Sequence, residues 1–282
     1  MNLPTPNRRR ARLARALIVA VGIGLGGSSF VESADPEAPP VDPRRQVREA
    51  VAQASEAKSL HSTWYFWIGT ADSRDHEIDA TRFYQEYEID HYGRWMAIPA
   101  LELFRFDHRG VIRGPKGWQI DSGHVIGRWI SSLVQHPVVA IAEAFKAGKP
   151  EAITTADGPR LRVALPEKLA ARHWERVVQA RCLAHPGEDL SPILGRVDAT
   201  KLEGSAELRI DDGLPVELWI TVAVRLAPKA SALRQPPKER GDDRVDYRDQ
   251  EHLVVRHRYV LSRFDQVGPI EVPAEARKML ER

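Results

Sequence analysis

The hydrophobic pattern is clearest between Ser205 and Leu226. Ala206, Leu208 and Ile210 alternate with Glu207, Arg209 and Asp211. After Asp212-Gly213 the alternation resumes, with Val216, Leu218, Ile220, Val222, Val224 and Leu226 on one face. Glu217, Trp219, Thr221 and Arg225 fall on the other. A period of two predicts strands with one side on a core and the other towards water. Asp-Gly supplies the positive φ that a tight turn needs, so the stretch predicts an antiparallel hairpin with one apolar face.

The same period recurs along the chain. In His61 to Ala71, Trp64, Phe66 and Ile68 share one face, and Tyr65 and Trp67 the other. Aromatic residues on both sides predict a central strand covered on both faces. From Thr81 to Ile98, Phe83, Gln85, Tyr87 and Ile89 alternate with Arg82, Tyr84, Glu86 and Glu88. Short strands at Leu103–Phe106, Val111–Arg113 and Trp118–Ile120, separated by turn residues, read as a meander. Arg160–Leu165 is a further strand. His252–Ser262 is the last long one, with Leu253, Val255, His257, Tyr259 and Leu261 on one face.

Elsewhere the period lengthens to that of a helix. Gln46 to Leu60 is amphipathic. In His124 to Ala147, Trp129, Ile130, Leu133 and Val134 recur at helical spacing, Pro137 interrupts, and Ile141 and Phe145 continue, which predicts one kinked helix or two short ones. Pro166 opens another, Glu167 to Cys182, with Leu169, Ala170, Trp174, Val177 and Val178 inward and His173 as a surface polar residue. Ala274 to Leu280 is a short C-terminal helix. The fold class is therefore α+β: an open or half-closed antiparallel sheet with helices packed on its apolar face.

Composition alters this picture at the N-terminus. Arg8, Arg9, Arg10, Arg12 and Arg15 precede an uncharged run of 16 residues, Ala16 to Val31. Small residues follow, then acids and prolines. That order predicts an export signal, cleaved or retained as an anchor, over residues 1–34, because the run is short of the roughly 20 residues that span a bilayer. Residues 35–45 read as a proline-rich tether, and 46–282 as one domain containing a mobile, proline- and charge-rich loop at 228–250. Removing residues 1–34 takes five arginines and Glu32 and moves the formal charge from +2 to −2. Such a balance does not make a nucleic-acid footprint; Arg256, His257 and Arg258 read as a solvated strand face.

Candidate chemistry is sparse. One cysteine, Cys182, allows no internal disulfide. Cys182 and His185, with His173 upstream, fall short of a metal-binding pattern, so no metal and no cofactor is expected. Glu86 and Glu88 could do acid–base work, and His91 and His108 could join them in a cleft. No triad or nucleophile elbow accompanies them, and the reading is non-catalytic.

Two short stretches carry a resemblance: Ile210-Asp211-Asp212-Gly213-Leu214-Pro215-Val216, and Phe264-Asp265 with Val267-Gly268-Pro269-Ile270-Glu271-Val272-Pro273. With the element order over residues 46–276, the chain resembles the periplasmic lipoprotein-carrier superfamily of the LolA/LolB type, including its mycobacterial lipid-carrying relatives. The resemblance implies a curved antiparallel sheet, a half-open barrel, with helices covering its concave face and enclosing an apolar cavity. It implies an acyl lipid or lipoprotein as partner, an exported, periplasmic or envelope location, and a monomer. Trp64, Phe66, Ile68, Phe83, Tyr87, Leu208, Ile210, Val216, Leu218, Ile220, Val222, Tyr259 and Leu261 would then line the cavity. Trp129, Ile130, Leu133 and Val134 would form its lid. The alternative is an interaction or sensor module of the same fold with an envelope protein as partner and no cargo.

Overall fold

Alternating residues build one sheet. The computed structural model describes residues 42–70, 85–121, 135–184, 197–226 and 252–281. Eleven strands, all paired antiparallel, lie in the order β6-β5-β4-β3-β2-β1-β11-β10-β9-β8-β7. They are β1 (Ser59–Thr70), β2 (Gln85–Tyr92), β3 (Trp95–Ile98), β4 (Leu103–Phe106), β5 (Arg109–Gly114) and β6 (Gly117–Ile120). After them come β7 (Glu151–Thr155), β8 (Gly158–Leu165), β9 (Val197–Asp211), β10 (Leu214–Leu226) and β11 (His252–Ser262). Two meanders, β1–β6 and β7–β11, join where the first strand pairs with the last. The edge strands β6 and β7 do not meet, so the curved sheet stays unclosed. The predicted tight turn sits between β9 and β10, with Asp212 at φ 50° and Gly213 at φ 78°, both in the left-handed region.

Four α-helices are described: α1 (Pro43–Glu56), α2 (Pro137–Lys146), α3 (Glu167–Ala184) and α4 (Ala274–Leu280). The first begins before Gln46, because Asp42 caps it, its side chain accepting from the Arg44 N–H at 3.1 Å, and Pro43 suits its first turn. It also ends earlier than expected, since Ser59 and Leu60 open β1. The second begins at Pro137; the half expected before it, with the lid residues Trp129, Ile130, Leu133 and Val134, lies outside the described residues. So do the export signal, Phe83 and the 228–250 loop. One strand, β7, was not expected.

The sheet buries both faces, unequally. Leu103 and Ile112 belong to the large core under α1, α2 and α3; their chain neighbours Phe104 and Val111 belong to a small cluster under α4. Since adjacent residues point to opposite sides, α4 packs on the reverse face, against β4 to β6. The main core forms rows across six strands. Tyr87, Trp64, Tyr259, Leu218, Leu208 and Leu161 are cross-strand neighbours in turn. Parallel to them run Phe66, His257, Ile220, Ala206 and Val163. Small residues let α3 approach: a Cβ on Gly204 would stand 2.9 Å from the Ala170 Cβ.

The buried inner face as the candidate functional site

Most of the predicted lining residues come together on the inner face. Trp64, Phe66, Leu208, Leu218, Ile220, Val222, Tyr259 and Leu261 are buried in one cluster, with Tyr87 and Ile210 half-buried against it. Ile68 faces Val255 in the ladder, but its side chain is not among those described. Val216 departs from the expectation. Pro215 cannot donate to a ladder, and the register slips between Pro215 and Glu217. Val216 is left half-buried at the bulge, outside the cluster.

Glu217 keeps the face that alternation gives it, opposite Leu218, but does not face water. Its side chain is 3% exposed and bridges Arg160 at 2.7 Å and Arg258 at 2.6 Å. Burial alone would raise its pKa. The charge and hydrogen bond of Arg258, then the charge of Arg160, outweigh burial and hold it below the usual value. Arg258 lies between the rings of Tyr65 and Trp219, with centroids 5.3 and 5.1 Å away. This reverse face is therefore an ion-pair and aromatic surface rather than a plain solvated one.

The inner face holds a polar group that sequence reasoning misplaced. His257, expected on a solvated face, is 1% exposed, and His173, expected at the surface, is 3% exposed. Their rings meet edge to face at 5.3 Å. Trp64 stacks at 5.9 Å on His257, 4.9 Å on Phe66, 5.8 Å on Tyr87 and 6.3 Å on Tyr259. Trp64 Nε1, His173 Nδ1 and both ring nitrogens of His257 are buried without a hydrogen-bond partner. The His173 carbonyl lies close enough to oppose the fall in the His257 pKa, without meeting hydrogen-bond geometry. Burial, helped by Arg176, still takes His257 down to about 4. Burial first, then His257 and the arginines at 176 and 172, take His173 to about 2. Both rings are neutral at pH 7. The signal was in the sequence: His257 keeps step with Val255 and Tyr259, and His173 falls on the stripe of Leu169, Ala170 and Val177.

Of the acid–base candidates, the side chain of Glu86 lies outside the described residues, and the other three differ in burial. His91 is buried, its Nε2 3.1 Å from Ser62 Oγ and its ring 4.6 Å from that of His136, whereas His108 and Glu88 are exposed. Among the described residues no cluster of three His, Cys, Asp or Glu is placed to hold a metal ion, and no helix is long and apolar enough to cross a membrane. A groove of about 740 Å³ opens between α1 and α2.

Fold and site define an α+β protein with one curved, open sheet and a helix-covered apolar face carrying a buried polar centre. No protein-family model and no curated protein matches the chain. Solved structures similar to it include two mycobacterial proteins. One is the lipoprotein LppX of Mycobacterium tuberculosis, at 9% identity and a TM-score of 0.35 over 82% of this chain and 98% of LppX. The other is LprF of Mycobacterium bovis, at 9% identity and a TM-score of 0.30 over 83% and 97%. At these scores neither likeness carries a function across.

Proposed function

We propose that the protein is an exported, non-catalytic carrier or sensor that holds an acyl chain of a lipid or lipoprotein between the inner face of its sheet and the helices. The observation that carries this reading is the group of partnerless nitrogens on Trp64, His173 and His257. A buried donor or acceptor left unmet costs about 1–3 kcal/mol, and natural interiors satisfy nearly all of theirs. Four such atoms in one apolar cluster fit a site whose polar partner arrives with a ligand. An ester, hydroxyl or carboxyl oxygen would accept from Trp64 Nε1, the neutral His257 ring offers one donor and one acceptor, and His173 Nδ1 offers one further position. The apolar rows on either side favour an acyl chain by about 0.8 kcal/mol for each buried CH₂.

The stacking of Trp64 on four rings favours a second reading, a cargo-free interaction module whose inner face is filled by its own side chains. A fatty acid brominated along its chain separates the two. Under the lipid reading it quenches tryptophan fluorescence saturably, and Trp64→Phe removes a large share of that quenching. Absence of quenching, or quenching indifferent to Trp64→Phe, supports the cargo-free module.

A further inference from the structure

The groove between α1 and α2 is built from two helices whose charges are unevenly answered. Val47 and Val51 of α1 and Ala142 and Phe145 of α2 line its floor, and Arg44, Arg48 and Lys146 line its rim. Asp42 supplies the one carboxylate in the lining, and its oxygen already caps α1 by accepting from the Arg44 N–H. Arg44 Nη2 donates to the Gly148 carbonyl at 3.4 Å, across the end of the groove. Arg48 and Lys146 have no carboxylate partner among the described residues. Cations on the neighbouring faces do have partners: Arg45 meets Glu49 at 2.7 Å, and Arg172 meets Glu143 at 3.7 Å.

An apolar stripe continues from this floor to the surface. Val139 stands three residues before Ala142, on the same side of α2. It is 48% exposed, and the one other exposed large hydrophobic among the described residues is Ile120. Three cations round an apolar floor, with an exposed valine beside them, complement an anionic amphiphile at an interface.

We infer that this groove is a membrane-docking site that seats an anionic phospholipid headgroup. The lipid phosphate lies against Arg48 and Lys146, the first methylenes of its chains lie over Phe145 and the two valines, and Val139 enters the headgroup layer. The groove shares Val47 and Phe145 with the main core but none of the partnerless nitrogens of the inner face, so the proposal does not rest on the lipid-carrying reading.

Residues 35–282 suit the test, since both described hydrophobic clusters lie between Val47 and Leu280 and residues 1–34 would bring their own apolar run to a bilayer. The measurement is co-sedimentation with vesicles of phosphatidylcholine, with and without phosphatidylglycerol. The protein is expected to bind the anionic vesicles alone and to be released by salt. Arg48→Glu with Lys146→Glu should lower partitioning about tenfold or more. Val139→Asp should weaken it without a change in net basic residues. Arg109→Glu with Lys116→Glu, an equal charge change at exposed positions of the β4–β6 region, should leave most binding intact. Thermal melts confirm that each variant is folded. Equal loss in the control pair, equal binding to pure phosphatidylcholine, or no binding at all overturns the proposal. Full competition by millimolar inorganic phosphate also overturns it, since the groove would then hold a free anion rather than a lipid surface.

Discussion

A histidine whose cross-strand neighbours are Phe66 and Ile220 has to stay neutral. Burial lowers the pKa of His257 to about 4, of His173 to about 2, and also that of His91 and His136. Below about pH 6.5 the unfolded chain takes up protons on these rings and the folded chain does not. The unfolded state then binds more protons, so stability falls on acidification by up to ~1.4 kcal/mol per pH unit for each ring. For His257 the loss runs from about 6.5 to about 4; for His173 it continues lower. A thermal melting series from pH 8 to pH 4.5 should show a flat Tm above 7 and a steady fall below 6.5. An unchanged Tm at pH 5 would refute burial of the imidazoles. Glu217 acts in a different window: its depressed pKa stabilises the fold above the ordinary carboxyl range and is lost only below it. Glu217→Gln leaves Arg160, 5% exposed, without its strong partner and should cost about 3 kcal/mol in urea unfolding. Alternation put Glu217 on the correct side of the strand, opposite Leu218, but not in water: the arginines that bury it there, Arg160 from β8 and Arg258 from β11, come from strands far along the chain.

Elements with a strong period were read closely. The strand His252–Ser262 and the helix Ala274–Leu280 have the bounds expected of them. The helix after Pro166 runs two residues past its expected end. β7 escaped because Glu151-Ala-Ile-Thr-Thr lies on the sheet edge and buries none of its residues fully, so its weak alternation carries one large apolar residue. The apolar stripe of α3 was legible, but the place where it lands was not: that depends on Gly204, where the sheet has no side chain in its way. Gly204→Val should overpack the contact with Ala170 and Leu165 and cost about 1–3 kcal/mol, measured as a shift in the urea midpoint. A variant as stable as the parent would mean that α3 does not rest on β9.

At the scale of the molecule, two meanders are joined by the pairing of β1 with β11, close to 190 positions apart in the chain. Local pattern reveals most of the strands and turns. It does not reveal that the first strand meets the last, and it is this meeting that sets Trp64 beside Tyr259 and His257. The apolar face was therefore legible as a set of residues, and its polar centre was not. That face is either a core alone or a core that also receives a ligand, and the two differ in whether the purified protein carries an acyl chain. Residues 35–282, exported to a periplasm, purified without detergent and extracted for lipid mass spectrometry, decide this most directly. An acyl species near one per chain, depleted when His257→Leu removes two of the partnerless nitrogens, is the predicted result. A stable, folded protein that yields no lipid would contradict it.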